Sequence, residues 1–289
     1  MTPTFTIIVP TYDHGPTLRY AIDSILAQTR PDFSLVVIGD GAPPSTEDIV
    51  AEYRARDERV SYRSFPKGPR TGEEHRHVVL QSVDTPLIAY CSDDDIWFPD
   101  HLSEIAQLLR EHDFVSAKIL NVARSRRDQE KALIDAGRLL PEDVPARRQA
   151  HYRLHTNRYR FEEPEGRALC FGEPPRNIAG LTTVAHTLAA YRSLPEGWSP
   201  APVGIFTDLY MWRKFLSDPS CRVRTGDRIT SLHLPRALRR NLSADQCLRE
   251  LALWFELIKA PETMARIRQV TFETPFAAAE AFPQTRPFW

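Results

Sequence analysis

Three consecutive aspartates, Asp93, Asp94 and Asp95, are the residues of this sequence with the clearest capacity for chemistry. They follow an apolar run at residues 87–91, which is typical of a buried strand, and they precede Pro99, where we expect a helix to begin. Carboxylates this close repel one another, so a cation or several hydrogen bonds must neutralise them. Mg²⁺ and Mn²⁺ bind one or two carboxylates and complete their coordination with water and substrate phosphates. The aspartates therefore indicate either a metal–diphosphate site or a solvated acidic turn that caps the next helix.

Polar residues also follow two other predicted strands. Residues 5–9 form an apolar run that ends in Pro10, Thr11, Tyr12 and Asp13, and residues 35–38 form a second run that ends close to Asp40. Open α/β sheets bind their ligands at the carboxyl ends of their strands. A carboxylate can accept the N3–H of uracil or thymine, and a tyrosine ring can cover a base. Asp40 is therefore a candidate base contact, and the Asp40-Gly41 pair also fits a simple turn.

The elements that position these residues alternate regularly. Short apolar runs predict strands at residues 5–9, 35–38, 60–65, 87–91 and 114–120, and the segments between them have helical spacing. Short connections between strands and helices in this order predict an α/β fold with a doubly wound, mostly parallel sheet flanked by helices.

Composition narrows the function classes. The 289 residues carry a formal net charge of -1, so no global field recruits nucleic acid or an anionic membrane. The N-terminus does not resemble a signal peptide and no apolar stretch is long enough to span a bilayer, so we expect a cytoplasmic protein. The four cysteines are far apart and lack metal-site spacing, which favours reduced thiols.

Four sequence segments together resemble family-2 glycosyltransferases of the GT-A fold. The segments are residues 8–13, residues 24–29, the Asp40-Gly41 turn and residues 93–100, and the last is similar to the acidic stretch of the spore-coat polysaccharide glycosyltransferases of that family. The resemblance covers residues 5 to about 110 and continues at isolated positions to about 235. It implies a GT-A domain at residues 1–235, with a nucleotide-sugar half at 1–120 and an acceptor half at 121–235, followed by a C-terminal helical extension at 236–289.

The resemblance also implies roles for individual residues near the nucleotide and the metal. Ser92 stands where many relatives have another acid, so the roles of the neighbouring aspartates stay open. The implied nucleotide contacts are Pro10, Thr11, Tyr12, Asp13, Asp40, Asp93 and the basic residues Lys67, Arg70 and Arg76, and the implied metal ligands are Asp94, Asp95 and His233.

Asp208 is the candidate catalytic base. Leu209, Trp212 and Phe215 have helical spacing, which puts Asp208 at the start of a helix, where an aspartate can simply cap. In the family, an aspartate at this point is the base of inverting enzymes. Inversion needs a carboxylate opposite the leaving diphosphate, close enough to take the proton of the acceptor hydroxyl.

The rest of the chain gives fewer functional indications. Residues 124–167 are rich in arginine and proline, and we interpret them as an insertion that could contribute to the acceptor side. By resemblance, Arg236, Arg239 and Arg240 are candidate diphosphate contacts. The predicted helix at residues 243–260 is amphipathic and could fold back on the sheet or form a homodimer.

These observations lead to one hypothesis and its alternatives. The hypothesis is a Mn²⁺- or Mg²⁺-dependent inverting glycosyltransferase that moves a sugar from a UDP- or dTDP-sugar to a hydroxyl of a glycan or small molecule, with Asp208 as the base. A sugar-phosphate nucleotidyltransferase would use a similar acidic site, but no early glycine-rich phosphate loop is found. A non-catalytic nucleotide-sugar-binding protein is the other alternative. A glycoside hydrolase needs paired acids but no acid at the base-binding turn.

Overall fold

The computed structural model describes residues 2–124, 152–236, 239, 242–273 and 276–277. The chain forms two compact units, one of Met1–Lys118 with Tyr159–Ser231 and one of Ile119–Arg158 with Leu232–Trp289. Arg240, one of the predicted diphosphate contacts, lies outside the described residues, as does most of the arginine-rich segment.

A mixed sheet organises the first unit. The strands that lie in or enter this unit are β1 (Phe5–Thr11), β2 (Phe33–Asp40), β3 (Val60–Phe65), β4 (Leu87–Tyr90), β5 (Ile96–Trp97), β6 (Phe114–Arg124), β8 (Val184–Thr187) and β9 (Val223–His233). The strand order is β3-β2-β1-β4-β8-β6. The pairs β1–β2, β2–β3 and β1–β4 are parallel, whereas β8 runs antiparallel to both β4 and β6. The sheet is therefore mostly parallel, as predicted.

Helices cover both faces of this sheet. They are α1 (Gly15–Leu26), α2 (Pro44–Arg54), α3 (Glu73–Gln81), α4 (His101–Leu108), α5 (Pro164–Phe171), α6 (Leu188–Ser193) and α7 (Thr207–Ser217), with a 3₁₀ turn at Leu181–Thr183. Alternate residues of each strand enter different cores, as the two-residue period of a strand requires. Ile7 and Val9 pack in one core with α1, α2 and α4, while Ile8 packs in the other with α3, α6 and α7.

The second unit contains the outer end of β6, strand β7 (Tyr152–His155), helices α8 (Ala244–Leu257) and α9 (Pro261–Ile267) and strand β10 (Phe276–Ala277). Strand β7 pairs antiparallel with β6 and with β10. This pairing joins residues 119–124 to the C-terminal part of the chain. The division thus places residues on both sides of the predicted boundary at residue 235 differently, and the pairing of β7 with both β6 and β10 contributes to this grouping.

Several element boundaries also differ from the predicted ones. The second strand is longer at both ends than residues 35–38, and the strand predicted at 114–120 continues to Arg124. Strand β5 was not predicted from the sequence; it has two residues and pairs with β9. All four cysteines are free. Within the described residues, no helix has both the length and the apolar character needed to cross a membrane.

Candidate active site

A cavity of about 350 Å³ lies in the first unit, beside the carboxyl ends of β1, β2 and β4. Parallel strands end at the same edge of the sheet, and this geometry brings together residues that are far apart in the sequence. The lining residues that the sequence predicted are Pro10, Thr11, Tyr12, Asp13, Asp40, Lys67, Arg70, Arg76, Asp93, Asp94 and Asp208. The others are His14, Thr71, Ser92, Leu181 and Thr207.

Asp40, the last residue of β2, is held by three groups. It is 3% exposed. The Lys67 ammonium donates to Oδ2 at 2.7 Å, the Gly68 amide donates to Oδ1 at 2.6 Å, and His75 Nε2 lies 3.2 Å from Oδ1. A carboxylate offers about four acceptor positions, so Asp40 keeps capacity for a ligand. Its orientation is fixed in advance by the loop after β3.

The loop at residues 67–72, which we call the basic loop, wraps closely around Asp40. Lys67 also donates to the carbonyl oxygens of Gly68 and Arg70, and its ammonium lies 5.3 Å from the centre of the Tyr12 ring. Tyr12 is about half exposed, so part of this side chain is accessible to a ligand. Gly72 has a φ of 73°, a left-handed conformation that glycine adopts without strain, and a Cβ there would lie 3.0 Å from Asp40 Cγ.

Asp93 and Asp94 lie at the end of β4, on the other side of β1 from Asp40. His14 Nδ1 lies 3.1 Å from Asp93 Oδ1, and His14 Nε2 lies 3.5 Å from Asp13 Oδ1. His14 therefore stands between two carboxylates at the cavity wall. Asp94 is partly exposed and lines the cavity.

Asp95 has a different environment from the other two aspartates. It is buried, and Thr182 Oγ1 donates a hydrogen bond to its Oδ2. Trp97 is also in the core, where its indole N–H donates to the Thr182 carbonyl at 2.8 Å. We therefore interpret Asp95 as a residue that fixes the acidic turn against the 3₁₀ turn, and we do not retain its predicted role as a metal ligand.

Asp208 lies in the first turn of α7. The Leu181 amide donates to Asp208 Oδ2 at 3.1 Å, and Thr207 Oγ1 donates to Oδ1 at 3.4 Å. Phe206 is the N-cap residue of α7, so Asp208 does not occupy the N-cap position. Helix capping was the alternative role for Asp208. Burial raises the pKa of Asp208 above its usual range, and the nearby Arg76 guanidinium opposes that shift. A carboxylate with a raised pKa suits proton abstraction.

Arg76, in α3, brings a buried positive charge to the same cavity. It is 3% exposed, its Nη2 donates to the Thr71 carbonyl at 2.8 Å, and its guanidinium lies 4.7 Å from the centre of the Trp198 ring. In the described part of the chain, its Nε and Nη1 have no hydrogen-bond partner. Burial lowers the pKa of Arg76. Two buried N–H groups are thus available to an oxygen-rich ligand.

A polar network under Arg76 fixes the Trp198 ring. Trp198 Nε1 donates to the Tyr90 hydroxyl at 3.0 Å, and this hydroxyl lies 2.8 Å from His186 Nε2. Burial lowers the pKa of His186 to about 4, so its ring is neutral at pH 7 and its Nε2 can accept a hydrogen bond from the Tyr90 hydroxyl. The buried side chains next to Arg76 are therefore hydrogen-bonded to one another.

The remaining predicted site residues belong to the second unit. His233 ends β9, and Arg236 follows it. Arg239 is buried, with Nε and Nη2 donating to the two carboxylate oxygens of Glu250 and Nη2 also donating to the Val122 carbonyl. These contacts give Arg239 a structural partner in its own unit.

Sequence reasoning missed two of the residues that frame the site. His14 directly follows Asp13, and its type alone could have suggested a contact with neighbouring acids. Thr71 reaches Thr207 through a hydroxyl–hydroxyl bond of 3.2 Å. No sequence signal links two threonines separated by 136 positions.

The capacity of the site for a metal depends on the number of acids. In the ranges that the structure describes, no cluster of three or more histidine, cysteine, aspartate or glutamate side chains is arranged to hold a metal ion. Asp94 and Asp93 offer carboxylate oxygens at the cavity. Such a pair fits a hard divalent cation that takes its other ligands from water and a diphosphate.

Comparison with known proteins identifies the family. A model of glycosyl transferase family 2 matches residues 6–168, more than half of the chain. The chain belongs to this family. The match confirms the resemblance to this family that the sequence shows at residues 5 to about 110.

Relatives of this family match part of the chain. The succinoglycan biosynthesis protein ExoW of Rhizobium meliloti (strain 1021) is 31% identical over 110 residues, which are 37% of this chain and 34% of ExoW. The matched segment thus spans about a third of that relative.

Solved structures share the fold. TarS 1–349 of S. aureus superimposes with a TM-score of 0.55 at 16% identity, covering 92% of this chain and 68% of TarS 1–349. A structure of the same protein contains UDP-GlcNAc. The mannosyltransferase PcManGT from Pyrobaculum calidifontis, determined with GDP-Man and Mn²⁺, superimposes with a TM-score of 0.53 at 18% identity, covering 92% of this chain and 68% of PcManGT. The chain thus has the GT-A fold, as the resemblance implied.

Proposed function

We propose that this glycosyltransferase is a metal-dependent inverting enzyme that transfers a sugar from a UDP- or dTDP-sugar to an acceptor hydroxyl. The observation that carries the proposal is the presence of Asp40, Asp94 and Asp208 in the lining of one cavity. Three carboxylates from the ends of three different elements can act on the nucleobase, the diphosphate and the acceptor hydroxyl of a single reaction.

The nucleotide binds at the β1 and β2 end of the cavity. Asp40 accepts the N3–H of uracil or thymine with lone pairs that Lys67 and Gly68 do not use. The Tyr12 ring covers one face of the base, and Pro10, Thr11 and Asp13 complete this end of the cavity. Lys67 binds Asp40 and lies near the Tyr12 ring, so it holds both of these nucleobase contacts in place.

The diphosphate binds at the end of β4. Asp94 would hold Mn²⁺ or Mg²⁺, and Asp93, which His14 orients, faces the ribose or the same cation. A bound cation would stabilise the negative charge that develops on the leaving diphosphate. Arg76 adds two N–H donors to the same cavity, and these are available to oxygens of the donor.

Asp208 acts as general base on the acceptor side. The Leu181 amide holds its Oδ2, and the carboxylate removes the proton of the acceptor hydroxyl while that oxygen attacks the anomeric carbon. The displacement inverts the anomeric configuration in one step and needs no covalent intermediate. The acceptor therefore approaches from the side of residues 181 and 207–208.

The compared proteins support the substrate classes. TarS and PcManGT have been determined with nucleotide sugars, PcManGT together with Mn²⁺, and the name of ExoW refers to polysaccharide biosynthesis. By analogy, we propose a nucleotide-sugar donor, a divalent cation and a glycan product for this chain.

Thermal melting tests the donor site. UDP and Mn²⁺ added together should raise the melting temperature more than either compound alone, since binding to the folded state stabilises it. Asp40→Asn should weaken this shift, whereas Asp84→Asn, a change at an exposed aspartate, should not. Absence of a shift with UDP, dTDP and GDP in the presence of Mn²⁺ or Mg²⁺ would refute the proposal.

Asp208→Asn tests the catalytic assignment. We expect the variant to retain the shift with UDP and Mn²⁺ and to lose transfer, by about 10²-fold or more, since general-base catalysis supplies a factor of that order. Transfer is measured as nucleoside diphosphate release that depends on acceptor. Unchanged turnover would exclude Asp208 as the base.

A further inference from the structure

The loop that leads into α7 carries two exposed apolar side chains. In this loop of residues 200–206, which we call the rim loop, Val203 is 99% exposed and Phe206 is 64% exposed. Single exposed apolar residues are common on protein surfaces. These two are only three positions apart, and Phe206 lies two residues before Asp208.

The rim loop has a defined conformation. The Ile205 amide donates to the Pro202 carbonyl at 3.2 Å, and Gly204 between them has a φ of 87°, which a glycine adopts readily. Ala201 is buried and Ile205 packs against the core. The exposed position of Val203 is therefore a consequence of a closed turn with anchored ends.

Arg70 is the residue that holds this turn. Its Nη1 donates to the Ala201 carbonyl at 2.6 Å and to the Pro202 carbonyl at 3.0 Å, and its Nη2 donates to the Ile205 carbonyl at 3.3 Å. The hydroxyl of the next residue, Thr71, donates a hydrogen bond to the hydroxyl of Thr207. Both terminal nitrogens of Arg70 thus donate hydrogen bonds to the rim loop. From the family resemblance, we expected this side chain to contact the nucleotide.

The position of the rim loop indicates which substrate it meets. Asp208, at the end of the loop, marks where the reacting hydroxyl of the acceptor lies if it is the general base; the inference therefore rests on the proposed function. A group attached to the acceptor next to that hydroxyl would lie along residues 203–206. Exposure of these apolar side chains to water is unfavourable, whereas contact with a hydrocarbon group would bury them favourably.

We infer that the rim loop binds the acceptor, and that the acceptor carries an aliphatic group close to its reacting hydroxyl. Val203 and Phe206 contact this group. Arg70 is a positioning residue that keeps the rim loop in the conformation needed for contact. Partial burial of one valine and one phenylalanine side chain is expected to strengthen binding about tenfold.

Two glycosides that differ only in their apolar part test the inference. Octyl β-D-glucopyranoside, kept below its critical micelle concentration, and methyl β-D-glucopyranoside are titrated against the full chain by ligand-observed NMR. We expect the octyl compound to bind about tenfold more tightly than the methyl compound, and we expect Val203→Ser combined with Phe206→Ser to abolish the difference. Equal binding of both compounds to the unaltered chain would overturn the inference.

Matched exposed residues provide the control. Val78 is 50% exposed and Phe171 is 45% exposed, so Val78→Ser combined with Phe171→Ser removes the same side-chain types from other surfaces of the first unit. This variant should keep the preference for the octyl compound. An equal loss of preference in the control would show that the octyl chain binds apolar surface without selectivity, and would overturn the inference.

Arg70→Met separates the two roles of the basic loop. We expect this variant to lose the preference for the octyl compound and to retain the thermal shift with UDP and Mn²⁺. The opposite pattern would make Arg70 a nucleotide contact and overturn its positioning role. Because glycoside binding needs no nucleotide, a failure of the UDP test alone refutes the proposed function, whereas a failure of the octyl test alone refutes only this inference.

Discussion

At the scale of single residues, the charges around Asp208 control whether it can act as a base. Burial raises the pKa of this carboxyl, and the largest opposing influence is the cation of Arg76. Glu73, in the first turn of α3, acts in the same direction as burial. The Leu181 amide and the Thr207 hydroxyl favour the ionised form. Arg76 is thus the largest of the influences that favour the ionised carboxylate, the form that can remove a proton.

Arg76→Gln should shift this balance toward the protonated form. Removal of a nearby cation raises the pKa of a carboxyl, so the ascending limb of kcat/KM against pH should move to higher pH. The measurement is the pH profile of transfer between about pH 4 and pH 9, with the donor KM determined at each point because Arg76 lines the cavity.

Arg76→Lys is the matched control, since it keeps a cation at this position. Its ascending limb should stay near that of the unaltered enzyme even if the donor KM rises, because lysine cannot reproduce the planar guanidinium contacts. A profile of Arg76→Gln that superimposes on the unaltered one, after correction for donor binding, would contradict the control of Asp208 by Arg76.

At the scale of elements, the basic loop joins the two ends of the site. Lys67 and Gly68 bind Asp40, while Arg70 and Thr71 hold the segment that ends at Asp208. One loop of six residues therefore sets the geometry of both Asp40, the proposed nucleobase contact, and Asp208, the proposed catalytic base. The loop can pass this close to Asp40 because Gly72 combines a left-handed backbone with the absence of a side chain.

Gly72→Ala should disrupt this arrangement. A left-handed φ costs an alanine about 1 kcal/mol, and the added methyl group would lie within 3.2 Å of three side-chain atoms of Asp40. We expect a lower melting temperature and UDP binding weakened several-fold, measured by thermal melting and by titration. Gly180→Ala is the control: an added Cβ there has no neighbour within 4 Å, and its φ of -72° is ordinary. Comparable losses in both variants would contradict the role of the Gly72 conformation.

Local patterns predicted the elements that carry the site but not their long-range contacts. The strand at Val60–Phe65 matches the prediction because the β-branched residue Val60 and the aromatic residues Tyr62 and Phe65 favour a strand. Strand β5 has only two residues and exists through its pairing with β9. Asp93, Asp94 and Asp95 could not be told apart, because side-chain directions in a turn do not follow a fixed period. The contacts of Arg70 cross more than 130 positions, a separation at which no periodicity gives information.

At the scale of the whole molecule, the division into two units could not be predicted from the sequence. The family resemblance ends gradually, and it gives no sign that β7 pairs with β10 in the C-terminal part of the chain. The second unit contains a buried ion pair, Arg239 with Glu250, in which both side chains have at most 1% exposure. A buried ion whose partner is removed is strongly destabilising, because the remaining charge has neither water nor a counter-ion.

Glu250→Ala should therefore destabilise the second unit selectively. We expect a loss of about 3–5 kcal/mol in the free energy of opening of α8, where Glu250 lies, measured by native-state hydrogen exchange. Glu256→Ala is the control in the same helix, since its ion pair with Lys259 is exposed and should contribute less than about 1 kcal/mol. Amides of β1 and β2, in the core of the first unit, should keep their protection in both variants if the two units open independently. An equal loss of protection in β1 and α8 after Glu250→Ala would mean that they open as one cooperative structure, and the two compact units would then not be separate units of stability.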